Sequence, residues 1–328
     1  MYDLTSPELA ALWEGHMRTG AWEAAWRVSD RLLLRRGHEH FGHPLPRHLQ
    51  SVWTGESLAG KRVLVRCYHG LGDTVQFIRF IAPLRRRARN VIVWAQPQLL
   101  PLLDTVRGID TLLPLHDGVP AAEYDVDIEI MELPFALRTT LDTLPAVVPY
   151  MGGNIGAARR EANPRPHVGL VWQSGTWDPH RSVPLELIQQ LTDIKEIRWK
   201  VLQRGPALAA WAAHRAEIPA ITTLMEEAAQ LRALDLLISV DTLSAHLAGA
   251  LGVRTWTLLP ASADWRWMDD REDTPWYPTM RLFRQPEPGD WKSVILRLRK
   301  QLELLLYPPC ATRRRGVTGA RTDLDINR

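Results

Sequence analysis

Apolar positions recur at helical spacing over the first 36 residues. Leu9, Leu12 and Trp13 form one stripe behind Ser6, a capping residue, and Pro7 at a first helical position. Trp22, Ala25, Trp26 and Leu32–Leu33 form a second stripe, with Gly20 interrupting between them. Two short helices are predicted within residues 1–40. From residue 61 the pattern becomes short β-rich runs alternating with helical stretches. Strands are predicted at Arg62–Tyr68, Val91–Ala95, Thr111–Leu115 and Tyr124–Ile130. Helices are predicted at Thr74–Ala82, bent or ended by Pro83, and at Pro97–Val106. A second series follows: strands at His167–Trp172, Trp199–Gln203, Leu234–Val240 and Thr255–Leu259, with helices at Pro184–Leu191, Pro206–Arg215 and Thr242–Leu251, the last closed by Gly252.

Such alternation implies parallel βαβ units, so the fold class is α/β with two Rossmann-like domains, residues 61–150 and 167–289. Loop-forming residues mark linkers at 41–60 and 151–166. An amphipathic helix is expected at 290–307 and a disordered tail at 308–328. Ligands of such sheets sit beyond the carboxyl ends of the strands, which directs attention to the loops there.

Charge and composition narrow the function classes. The chain of 328 residues carries a formal charge of +3, and the tail 308–328, with five Arg and two Asp, accounts for all of it. The folded part is neutral, which argues against a nucleic-acid partner. Cys67 and Cys310 are too few for a disulfide framework or zinc ribbon, and no apolar run approaches the roughly 18 residues of a membrane span. The N-terminus, acidic and interrupted by polar residues, does not read as a secretory signal, so a cytoplasmic protein is expected. Arg85, Arg86, Arg87 and Arg89 suit a helix C-terminus, with peripheral contact to an anionic membrane surface as their second reading.

Four loops carry candidate chemistry. Gly70-Leu71-Gly72-Asp73 follows a strand and opens a helix, where glycines allow a tight turn and close approach to an anion. It lacks the third glycine of a dinucleotide fingerprint and the Gly-Lys-Ser/Thr of a P-loop. Asp73 is either a general base or a carboxylate stabilising a helix start. Asp241-Thr242-Leu243-Ser244-Ala245-His246 places a capping Asp and free first-turn N–H groups at another strand end, suited to a phosphate bearing a sugar; the alternative is a cap and a packing histidine. Ser174 to Ser182, with Thr176 and Arg181, offers hydroxyls and a guanidinium to phosphate oxygens, or is a solvated loop. Asp264-Trp265-Arg266-Trp267 offers aromatic faces for a sugar or base, or forms a cluster under a long loop. His38, His40, His43 and His48 read as a surface loop before a metal site.

At this point two resemblances enter. Gly20-Ala21-Trp22-Glu23-Ala24-Ala25 resembles half of a tetratricopeptide hairpin, although a solenoid needs about three such repeats. Residues 45–305 resemble the heptosyltransferase-like glycosyltransferases of family 9, which have the two-domain GT-B fold, and most closely those joined to tetratricopeptide repeats. The matching stretches are Gly70–Phe77, His167–Trp172, Arg181–Leu185, Val240–Gly252, Asp264–Trp267 and Trp276–Thr279. The resemblance implies an inverting, metal-independent transfer from a nucleotide-diphospho sugar, with no cofactor. It implies that Asp73 deprotonates the acceptor hydroxyl, Asp241 contacts the donor sugar and Arg181, a Lys in some members, contacts donor phosphate. Ser174, Thr176, Gln203, Thr242, Ser244 and His246 complete the expected donor side; Gly70, Gly72, Trp265 and Trp267 are the expected loop and acceptor side. The 61–150 unit is short beside its counterpart in lipopolysaccharide heptosyltransferases, so glycan, lipid-linked and protein acceptors all stay open. A catalytically silent GT-B module binding a protein partner is the second reading. A GT-B-fold epimerase would need further cleft carboxylates or histidines.

Overall fold

A computed structural model describes residues 6–36, 53–157, 165–175, 178–211 and 216–307. The tail 308–328, most of the 41–60 linker, the four loop histidines and Thr176 lie outside the described residues. The chain begins with α1 (Ser6–Arg18) and α2 (Trp22–Arg36), joined by a turn in which Gly20 takes φ +79°. The N-terminal domain runs β1 (Arg62–Cys67), α3 (Leu71–Phe77), α4 (Ile81–Arg85), β2 (Asn90–Ala95), α5 (Leu100–Leu103), β3 (Thr111–Pro114), β4 (Val126–Glu129) and α6 (Leu133–Ala136). The C-terminal domain runs β5 (His167–Val171), α7 (Leu185–Gln189), β6 (Arg198–Val201), α8 (Pro206–Ala209), β7 (Ala216–Glu217), α9 (Leu224–Arg232), β8 (Leu236–Val240), α10 (Leu243–Ala250), β9 (Thr255–Leu259), β10 (Met280–Arg284) and α11 (Trp291–Leu306).

Both sheets are parallel, in the orders β3-β2-β1-β4 and β10-β9-β8-β5-β6-β7. The second is the doubly wound order 3-2-1-4-5-6, and the first matches its first four strands, 3-2-1-4. Strand order therefore reverses between β1 and β4 and again between β5 and β8, and loops leaving β1, β5 and β8 flank natural crevices. Strands β5, β8 and β9 are buried at every position, as continuous apolar runs in a parallel sheet require.

Several expectations change. Residues 71–85 form one helical run whose middle turn, Ile78–Phe80, tightens to a 3-10 turn ahead of Pro83, which lacks the N–H of a regular ladder. Gly72 and Asp73 thus belong to the first helical turn rather than to a loop. Strand β10 and the two-residue β7 were not expected. The 151–166 segment is no free linker over its described part: Met151 and Ile155 are buried, and Arg232 donates to the Gly152 carbonyl at 2.7 Å. Leu12 faces solvent rather than the core. Arg85 pairs with Asp110 at 2.7 Å. Among the described residues no helix is long and apolar enough to cross a membrane.

The helical hairpin packs on both domains. Trp26 donates to the Thr139 carbonyl at 2.6 Å, Asp30 pairs with Arg138, and Trp22 lies 5.3 Å from Trp276. A single apolar core runs from Met17 and Trp22 through Phe77 and Phe80 to Trp276 and Tyr277. A second core, containing Leu170, Ile238 and Leu298, fills the far face of the larger sheet.

Candidate functional site

Helices α3 and α10 start at facing strand ends, and their first turns touch. Neither glycine of the Gly70–Asp73 segment has the left-handed backbone expected of a turn: Gly70 is the extended N-cap of α3, at φ −61° and ψ 153°. Gly72 is needed for approach to the other domain instead. A Cβ there would stand 2.9 Å from the His246 ring and 3.7 Å from the Leu243 Cα. The two domains thus meet at a cavity of about 650 Å³, within the usual range for small-molecule sites.

That cavity gathers Gly70, Gly72, Asp73, Ser174, Arg181, Gln203, Asp241, Thr242, Ser244 and His246 along its wall. Asp241 is not the helix cap it was expected to be. Thr242 holds the cap position with no side-chain cap bond, and Asp241, buried at the end of β8, turns to tertiary partners. Its Oδ1 lies 3.4 Å from His246 Nε2 and its Oδ2 3.4 Å from the Arg181 guanidinium. Burial works to raise the Asp241 carboxyl, but hydrogen bonding and charge at His246, then the charge of Arg266, hold it well below the usual carboxylate range. The His246 ring is fixed by the Tyr277 hydroxyl, 2.9 Å from Nδ1, and by the stacked Trp267 indole, 5.5 Å between centroids. Arg181 also donates to the Asp241 carbonyl at 3.2 Å.

The remaining donor-side residues divide. Ser174 donates to the Asp178 carbonyl and shapes the loop, while Gln203 accepts from the Trp172 and Gln173 amides at 3.0 and 2.9 Å. Gln203 is thereby a strut between the ends of β5 and β6. Ser244 donates at 2.5 Å to Glu227, a fully buried carboxylate that also pairs with Arg204 at 3.1 Å. Burial raises the Glu227 carboxyl against the pull of Arg204 and Ser244.

Trp265 and Trp267 do not line the cavity. Trp267 is wholly buried behind His246, and Trp265 sits edge-on to Trp13 at 5.1 Å. The residue between them, which the sequence reading passed over, faces the site. Arg266 donates to Asp73 Oδ1 at 2.7 Å, to Gln76 Oε1 at 2.9 Å and to Asp264 Oδ1 at 2.9 Å. Asp73 Oδ2 accepts from the Gly70 amide at 3.1 Å, so both carboxylate oxygens are fixed. Arg204, at the end of β6, is the second residue missed; its place beyond a strand was the available signal. Arg181, Arg204 and Arg266 line one cavity together with Asp73, Asp241 and Asp264. Among the described residues no group of three His, Cys, Asp or Glu could hold a metal ion.

Comparison with known proteins decides the fold. No family model matches the chain. Protein FlbA of Caulobacter vibrioides is 24% identical over 283 residues, 75% of this chain and 47% of that protein. The chain thus spans about half the length of the curated relative it matches. The crystal structure of the glycosyl transferase family 9 from Veillonella parvula DSM 2008 is similar at a TM-score of 0.52 and 14% identity, covering 75% of this chain and 96% of that one. E. coli heptosyltransferase WaaC with ADP-2-deoxy-2-fluoro heptose is similar at 0.52 and 12%, covering 74% and 99%. The chain has the GT-B fold of the family 9 glycosyltransferases. In that GT-B frame, α3 carries Asp73 on the N-terminal side of the cleft, and β8 and α10 carry Asp241 and His246 opposite.

Proposed function

We propose that the chain is a glycosyltransferase that binds a nucleotide-diphospho sugar in this cleft and passes the sugar, with inversion and without a metal, to an acceptor hydroxyl. The observation that carries the reading is the convergence of a fixed carboxylate from one domain and an Asp–His–Arg group from the other on a single cavity. Arg181, Arg204 and the first turn of α10 supply positive potential for the diphosphate. Asp241 accepts from sugar hydroxyls. Asp73 takes the acceptor proton as the acceptor oxygen bonds to the anomeric carbon. The bond from that carbon to phosphate breaks on the opposite face, and the nucleoside diphosphate leaves with the electron pair. Each Asp73 oxygen keeps a lone pair beyond those bonded to Arg266 and Gly70, which leaves a position for that proton. A heptose is the first sugar to test, because WaaC carries a heptose analogue with ADP.

Calorimetric titration with ADP-, UDP-, GDP- and dTDP-sugars, repeated on Asp241→Ala and Asp73→Asn, tests the proposal. One donor should bind saturably, with affinity lost in Asp241→Ala and kept in Asp73→Asn, whose turnover falls. Folded protein that binds none of the panel would refute the reading. Wild-type turnover in Asp73→Asn would remove the base assignment. The first of these outcomes, no donor bound by folded protein, is the signature of the second reading, a catalytically silent module that engages a protein partner.

A further inference from the structure

Arg266 lies between two structures that the sequence keeps far apart. On its inner side it bonds Asp73 and Gln76 of α3, and 193 residues separate it from Asp73. Its own turn fixes it from behind: Asp264 Oδ1 accepts from both its backbone amide and Nε, and Trp276 donates to its carbonyl at 2.9 Å. On the outer side the same segment is gripped by α1. Arg18 donates to the Ala263 carbonyl at 2.6 Å and pairs with Asp269 at 3.2 Å, while the Asp269 amide donates to the Arg18 carbonyl at 3.2 Å. Trp13 meets Trp265 edge-on. Residues 263–269 are thus clasped between the helical hairpin and the helix that carries Asp73.

We propose that the N-terminal hairpin is a working part of the catalytic unit: it braces the 263–269 segment so that Arg266, a positioning residue, holds Asp73 in its reactive orientation. The proposal rests on the reading of Asp73 as the base. A fork that satisfies Asp264 through Nε and Asp73 through a terminal nitrogen needs a planar guanidinium, which lysine cannot replace. A brace that acted only on stability would lower folding without touching turnover per folded molecule.

The test has two arms on the full chain. In the first, ADP release from ADP-heptose into water is followed for wild type, Arg266→Lys, Arg18→Ala and Trp13→Ala, with ADP affinity measured separately. Arg266→Lys is expected to lower kcat at least tenfold and the two hairpin variants severalfold, with ADP affinity and donor KM within twofold of wild type. Unchanged kcat in Arg266→Lys overturns the positioning role, and unchanged kcat in both hairpin variants overturns the brace. In the second arm, denaturant unfolding is measured for Arg18→Ala, Asp73→Asn and the double variant. A double variant whose folding constant departs at least threefold from the product of the single effects supports transmission through 263–269; additivity overturns it. If wild type binds ADP but releases none from ADP-heptose, the base reading fails while the second arm still decides the brace.

Discussion

Replacing Gly72 by alanine separates a glycine kept for interdomain contact from one that merely tolerates a helix. A Cβ at position 72 would stand 2.9 Å from the His246 ring carbon, about 0.6 Å inside normal carbon–carbon contact. The ring cannot yield easily, because Tyr277 and Asp241 hold its two nitrogens and Trp267 is stacked on it. Overpacking at a fixed contact costs about 1–3 kcal/mol, and alanine in a helix returns at most about 1 kcal/mol over glycine. Gly72→Ala should therefore destabilise by up to about 2 kcal/mol, and, under the proposed function, displacement of His246 should weaken nucleotide binding in the cleft. Gly15→Ala is the control: Gly15 is exposed inside α1 and nothing lies within 4 Å of the added Cβ, so it should stabilise by about 0.5–1 kcal/mol. Urea unfolding and ADP titration of both variants supply the measurements. A Gly72→Ala protein stabilised as much as Gly15→Ala would refute the argument.

Two further predictions concern buried charge. Arg79 is buried where the domains meet and donates to the Gln76 carbonyl at 2.8 Å, the Tyr150 hydroxyl at 2.9 Å and the Trp276 carbonyl, so Arg79→Ala should cost at least about 3 kcal/mol in denaturant unfolding. A loss under about 1 kcal/mol would show that this contact is dispensable. Glu227 has its carboxyl raised by burial, so the fold favours its protonated form, and its contribution is largest below the ordinary carboxyl value of about 4.3 and is lost as pH rises through the raised value. Glu227→Gln keeps an acceptor for Ser244 and releases Arg204, 40% exposed, to water. Its melting temperature relative to wild type should climb as pH rises above the ordinary carboxyl value; a difference independent of pH would contradict the burial argument.

All the parallel strands but β7 and β10 were legible, as short β-rich runs bounded by turn residues, and Gly252 closed α10 as expected, at φ +75°. Strand β10 escaped because Arg281 and Arg284 interrupt it, as an edge strand allows. The segments that carry Asp73, Arg181 and Asp241 were found by the rule that sites lie beyond strand ends, and all three residues line one cavity. Local propensity misled at Asp241, since Asp is a favoured cap residue, but a histidine and two arginines supplied stronger partners than the α10 amides. The aromatic run was read for its faces, yet Trp265 and Trp267 are anchors and the charge between them does the reaching. No local pattern announces a pair 193 residues apart; only the docking of the domains creates it.

That docking brings Asp73, Asp241 and Arg181 to one cavity while the two domains are already in contact. Phe77 and Phe80 of the N-terminal domain pack on Trp276 of the other, with centroids 5.6 and 6.4 Å apart, and these rings and Tyr277 are at most 1% exposed. Re-exposing four such side chains at about 1.5–3 kcal/mol each would cost on the order of 6–12 kcal/mol. A ligand shifts a conformational equilibrium only by its differential affinity for the two states, and few ligands supply that much. A hinge that parts the domains at the cleft floor is therefore a poor way to admit substrate. The hairpin adds to the restraint, since α1 holds the 263–269 segment of one domain while α2 holds Thr139 and Arg138 of the other. The strand-end loops and α8 at the cavity rim, where Gln173, Gly175, Arg204 and Pro206 stand, can admit substrate without breaking that core. Fixing the floor keeps the two carboxylates and their arginines in register, so binding energy need not be spent on assembling them.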